Sequence, residues 1–156
     1  MIDPAAERIL QERFGKDSVI ALATLEDGRP SARFVNAYYE DGAFYTITHA
    51  CSGKMRQIAQ NPAVGIAADW FTAHGVAENL GYLFAPENAA MAAKLKLAFA
   101  QWFDNGHNDY ADPNTILLRV RLTDGVLLSH GTRYALAFWS CAQHSAFSAL
   151  ASPLQA

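Results

Sequence analysis

The chain has 156 residues, 51% of them hydrophobic and 17% charged, which fits one globular domain with a real core and excludes a disordered chain. Its net charge of −3 gives no general attraction to nucleic acid or to an anionic membrane, so neither partner is expected and an anion site must be local. No apolar run approaches the ~20 residues of a membrane span, Met1 to Arg13 lacks a signal-peptide core, and Cys51 and Cys141 have no zinc-like spacing. A cytoplasmic protein with free thiols and no metal is the expectation.

In chain order, Pro4 to Arg13 predicts a short helix, with Asp3 as its cap and Gly15 as its stop. Ser18 to Leu25 reads as a strand without clean alternation, hence buried on both faces. Asp27-Gly28 and Asp41-Gly42 mark hairpin turns around a returning strand, Ser31 to Tyr39, and a third strand, Ala43 to Thr48, follows. In the returning strand Ala32, Phe34, Asn36 and Tyr38 share one face, and Arg33, Val35, Ala37 and Tyr39 the other. Ala63 to Trp70 and Phe71 to Leu83 predict two more strands, with Gly75 and Gly81 as bulge or close-approach points. A helix is predicted from Pro86 to about Phe103, with Met91, Leu95, Ala98, Phe99 and Trp102 on one stripe. Thr115 to Leu122 is a strong strand, Asp124-Gly125 a turn, and Val126 to Ser129 extends again. An apolar segment, Tyr134 to Trp139, follows Gly131. Six short strands and few helices predict a mainly β antiparallel barrel in one domain, residues 1–140, with a weakly ordered or docked tail at 141–156.

The stretch from Tyr45 to Ile58 carries the chemistry. A strand ends, Ser52 is placed to cap a helix, and Met55, Ile58 and Ala59 give that helix an apolar face. Free N–H groups and the positive end of the dipole suit an anion there; Gly53 permits close approach, Lys54 adds charge, and Thr48 and Ser52 add hydroxyls. The stretch reads equally as a phosphate seat or as an ordinary capped helix. Arg33 reads alone as an outward arginine paired with Glu40 or Asp41; beside Lys54 and Ser52 it joins the seat. His49 and His74 are candidates for proton delivery, and Trp70 and Phe71 for stacking or for the core.

Pro30-Ser31-Ala32-Arg33-Phe34-Val35-Asn36, then Asp41-Gly42, Phe44-Tyr45-Thr46, Ser52-Gly53-Lys54, Ile58 and Asn61-Pro62-Ala63-Val64 resemble the FMN-binding split barrels, the pyridoxamine 5′-phosphate oxidase-like proteins. The resemblance covers roughly residues 5 to 130. It implies a six-stranded antiparallel split barrel and a homodimer holding FMN between its subunits. By position, Arg33 is implied near the phosphate and ribityl chain. Phe34, Val35 and Asn36 are implied along the flavin ring, Ile47 and Thr48 beside ring and phosphate, and Ser52, Gly53 and Lys54 in the phosphate turn. Two departures stand out. Gly53 replaces a second basic residue common in the oxidases, and their C-terminal arginine- and histidine-bearing segment has no match. An FMN-dependent oxidoreductase for a small aromatic or quinone-like molecule is the reading; the alternatives are a flavin sensor or carrier, or a barrel holding a deazaflavin or haem. No catalytic side chain is singled out.

Overall fold

A computed structural model describes residues 2–138. The elements run α1 (Pro4–Phe14), β1 (Ser18–Glu26), β2 (Arg29–Glu40), β3 (Ala43–His49), α2 (Gly53–Gln60), β4 (Ala63–Ala68), β5 (Phe71–Tyr82), a 3-10 turn at Pro86–Asn88, α3 (Ala89–Ala98), β6 (Thr115–Ser129) and β7 (Thr132–Ala137). Strand order is β3-β2-β1-β4-β5-β6-β7, and β3 pairs with β6 from Ala43↔Arg121 to His49↔Thr115. That pairing closes a six-stranded antiparallel barrel and leaves β7 outside it, on the second half of β6.

The hairpins follow from local chemistry. Asp27-Gly28, Asp41-Gly42 and His130-Gly131 each place two successive residues at positive φ, the primed geometry that matches strand twist. Inside the barrel, Phe14 of α1 packs edge-on to Phe44 and against Phe71, with centroids 5.7 and 5.6 Å away. A second cluster, including Leu83, Leu95, Phe99, Phe103 and Leu117, lies under α3.

Several expectations need correction. Strand β1 is not buried on both faces: Ile20, Leu22 and Thr24 point in, while Val19 is 60% exposed. The outward register, Val19, Ala21, Ala23 and Leu25, is itself apolar, which hides the alternation from a hydropathy reading. Asp124-Gly125 is not a turn, because β6 runs unbroken through it. A Cβ at Gly125 would meet the Thr72 carbonyl at 2.6 Å, so this glycine serves close strand approach. Gly75 behaves as expected: a Cβ there would meet the Arg121 carbonyl at 2.7 Å, and the ladder shifts register beside it. The long helix ends at Ala98. The apolar spacing continues because Phe99 and Trp102 stack at 4.6 Å through the following turn. The first part of the apolar segment, from Tyr134, joins a seventh strand, Thr132–Ala137; Trp139 and the expected tail, 141–156, lie outside the described residues.

Candidate functional site

The ladder between β2 and β3 covers only Tyr38↔Tyr45, Tyr39↔Phe44 and Glu40↔Ala43. Before Tyr38, β2 stays paired with β1, and β3 after Tyr45 stays paired with β6. The barrel is thus split between residues 33–36 and residues 46–48. Thr46 bridges the start of the split, its hydroxyl donating to the Asn36 carbonyl at 2.6 Å. Strand edges in such a slot keep backbone donors and acceptors for a ligand.

The slot leads to two cations. Arg33 Nη1 donates to Thr24 Oγ1 at 2.7 Å and to the Leu22 carbonyl at 3.2 Å. Its Nη2 donates to Gln57 Oε1 at 2.9 Å. Thr24 in turn donates to Gln57 Oε1, and Gln57 Nε2 donates to Glu26 at 3.2 Å. Lys54 Nζ donates to Thr48 Oγ1 at 2.7 Å. Among the described residues no carboxylate forms an ion pair with Arg33 or Lys54; Glu40, one imagined partner of Arg33, pairs with Lys94. Burial pushes the Lys54 ammonium below its usual range, and the neighbouring Arg33 charge pushes it further; burial also lowers Arg33. A half-buried pair of like charges costs free energy unless an anion joins it.

Ser52 sits at the N-cap of α2 but makes no side-chain capping bond. Its hydroxyl oxygen is buried without a partner. Its backbone is engaged: the Arg56 N–H donates to the Ser52 carbonyl at 3.1 Å, and the Ser52 N–H to the His49 carbonyl at 3.0 Å. A Cβ on Gly53 would meet nothing within 4 Å, so packing does not require a glycine there. The orphaned hydroxyl, the open glycine and two unneutralised cations together fit a phosphate group.

Of the expected residues, the fold gathers Arg33, Thr48, Ser52, Gly53 and Lys54 at one end of the barrel. Phe34 points outward beside Ala21 and is 78% exposed. Val35 packs against the main core and Ile47 under α3. The Asn36 side chain is held by Asp17, which also accepts from the Trp102 indole, both at 2.8 Å. His49 bridges the Cys51 N–H, at 3.2 Å from Nδ1, and Asp112, at 3.0 Å from Nε2. His74 pairs with Asp124 on the outer face of β5. Phe71 belongs to the core; Trp70 is 68% exposed.

Two residues of the seat escape the sequence reading. Gln57 is only 6% exposed, and the buried face of α2 is Met55, Gln57 and Ile58 rather than Met55, Ile58 and Ala59. A glutamine in a helix reads as solvent-facing, so no signal marks it. Thr24 was detectable: it continues the inward register of Ile20 and Leu22.

A closed six-stranded barrel opened between β2 and β3 defines the split-barrel class. The family model for pyridoxamine 5′-phosphate oxidase matches residues 3–126, and the chain belongs to that family. No curated protein matches it by sequence. Solved structures share its fold. A heme binding protein from Mycobacterium smegmatis is 22% identical with a TM-score of 0.65, over 88% of this chain and 60% of that one. A FAD-binding protein from Mesorhizobium loti is 14% identical with a TM-score of 0.63, over 80% of this chain and 92% of its own. An F420 reductase is 19% identical with a TM-score of 0.55, over 74% of this chain and 94% of its own.

Proposed function

We propose that this protein is a cytoplasmic FMN-binding oxidoreductase acting on a small aromatic or quinone-like molecule, as a homodimer with FMN between its subunits. One observation carries the reading: Arg33 and Lys54 stand half-buried within electrostatic reach of each other, Lys54 in the same turn as the orphaned Ser52 hydroxyl, and among the described residues no carboxylate is paired to them. A terminal phosphate dianion supplies what that cluster lacks, through charge-assisted hydrogen bonds.

The redox chemistry belongs to the bound isoalloxazine; the chain binds and orients it. Arg33 and Lys54 neutralise the phosphate, Ser52 and Thr48 give hydroxyls, and Gly53 leaves the approach open. Gln57 and Thr24 hold the guanidinium in place. The slot edges at Phe34, Val35, Asn36 and Ile47 offer backbone groups to the ring, since their side chains are engaged elsewhere or point away.

The homodimer has its own physical support. The outer face of β1 and β4 is floored by Ala21, Ala23, Gly65 and Ala67, bordering a hollow of about 460 Å3. Val19 and Phe34 stand exposed on the same side. A second copy covering this face removes an apolar patch from water.

The deciding experiment is the visible spectrum of the purified protein before and after FMN is added. Flavin bands that are lost in the Arg33→Ala, Lys54→Ala double variant support the reading. A colourless protein that ignores FMN overturns it and turns attention to a deazaflavin; a Soret band turns it to haem.

A further inference from the structure

We infer that a second small-molecule site lies at the opposite end of the barrel, walled by Trp70, and that it takes a planar aromatic carbonyl compound of the quinone class. This site does not depend on the flavin reading. Trp70 fills the tight turn between β4 and β5 at φ 52°. The other non-glycine residues at positive φ are Asp27, Asp41 and His130, residue types that tolerate this region, and each precedes a glycine in a primed turn. A bulky tryptophan there is an outlier, and strained residues that persist gather at functional sites. Burial does not explain it, because the side chain is 68% exposed.

Trp70 lines a cavity of about 480 Å3 together with Arg13, Leu128, Ser129, His130 and Thr132, a size in the ~300–1,000 Å3 range of small-molecule sites. The cavity lies between two turns that are locked together. Arg13 donates from Nη1 to the Asp69 carbonyl at 3.2 Å and from Nη2 to the Leu128 carbonyl at 3.0 Å. The Leu128 N–H donates to the Trp70 carbonyl at 2.9 Å. Ser129 is buried and its hydroxyl meets His130 Nδ1 at 3.0 Å. The walls therefore offer an indole face for stacking, a hydroxyl–imidazole pair able to donate to carbonyl oxygens, and a guanidinium, with no carboxylate among the lining residues. That set suits an electron-poor ring bearing acceptor oxygens. Arg33 of the seat is held by Thr24, which the β1–β4 register places level with Val64, and the run from Val64 to Trp70 is roughly 20 Å of extended chain, so within one chain the cavity is separate from the phosphate seat.

The test uses the whole protein with 15N-labelled tryptophan, titrated with 2,3-dimethyl-1,4-naphthoquinone, whose blocked ring positions prevent addition to the exposed Cys51 thiol. The Trp70 indole resonance, assigned by its loss in Trp70→Phe, is expected to shift saturably while that of Trp102 stays put. Calorimetry on Trp70→Gly should give a loss of affinity of about tenfold, the scale of a lost aromatic stack. Its melting temperature should stay level or rise, since glycine accepts positive φ. Trp70→Phe, which keeps an aromatic wall, should stay within about threefold of the parent. An unmoved Trp70 resonance, or Trp70→Gly binding the quinone as the parent does, overturns the proposal. So does a Trp70→Gly variant that shifts only the monomer–dimer balance, which would make the cavity a contact for a second copy.

Discussion

Two arginine sites on the same barrel are balanced in opposite ways. On the outer face of β5 and β6, Glu78 receives both Arg119 and Arg121. Burial alone would raise the Glu78 carboxyl, but hydrogen bonds and charge from Arg119 and Arg121 outweigh it and hold it below the usual range. In the β2–β3 slot, among the described residues, Arg33 has only neutral partners, Thr24, Gln57 and a carbonyl, and Lys54 only a hydroxyl. In the first cluster each arginine has a carboxylate partner within the chain. Among the described residues the second leaves positive charge without a counter-ion, in a half-buried place where lost solvation makes it costly. Cations serve structure where a carboxylate is supplied, and the proposed phosphate seat lies where one is withheld.

The comparison breaks first at Lys54. Lys54→Met should cost about 1.5–3 kcal/mol of FMN binding, ten- to a hundredfold by calorimetric titration. The ligand-free stability should not fall, because a desolvated ammonium facing Arg33 is removed; an equal loss of stability would make Lys54 structural. Gln57→Glu converts the seat toward the Glu78 arrangement by giving Arg33 a carboxylate. FMN affinity should drop about tenfold, with ligand-free stability little changed, since Glu26 beside it offsets the new attraction. Glu78→Gln tests the other side. With these groups partly exposed, it should cost about 1 kcal/mol in urea unfolding at neutral pH and leave FMN binding intact. Because the folded-state carboxyl is depressed, that difference is full above the unfolded value near 4.5 and closes as pH falls through the folded one. The smallest effect belongs to Ser52→Ala. It should weaken FMN binding by about 1 kcal/mol, near fivefold, and leave the melting curve unmoved, whereas loss of a working cap would cost about 1 kcal/mol of stability.

Much of this was legible in the chain. The first hairpins announce themselves through Asp-Gly pairs and period-two strands, and Ser52-Gly53-Lys54 stands out because a cap, a glycine and a cation coincide. Arg33 needed the company of that turn to be read as part of the seat. Gln57 stayed hidden because its burial depends on Thr24, which is 33 residues away in sequence, and no local pattern encodes that contact. The split was legible only through the family resemblance and not from any local pattern, because where β3 leaves β2 is decided by its pairing with β6. Asp124-Gly125 misled because the dipeptide has two uses, a tight turn and a tight approach of strands, and only the neighbour across the ladder distinguishes them.

The strand pairings also differ in the length of chain each must close. The seat is drawn from one stretch, Thr24 to Gln57, whose hairpins close over short loops, whereas the barrel seals only when Ala43 meets Arg121 across much of the chain. Closing the long loop carries the larger entropic cost and governs speed. An anion held by the early meander would be in place before the slow step and would act as a template for it. Such a ligand hastens folding, where one bound only after closure would merely delay unfolding.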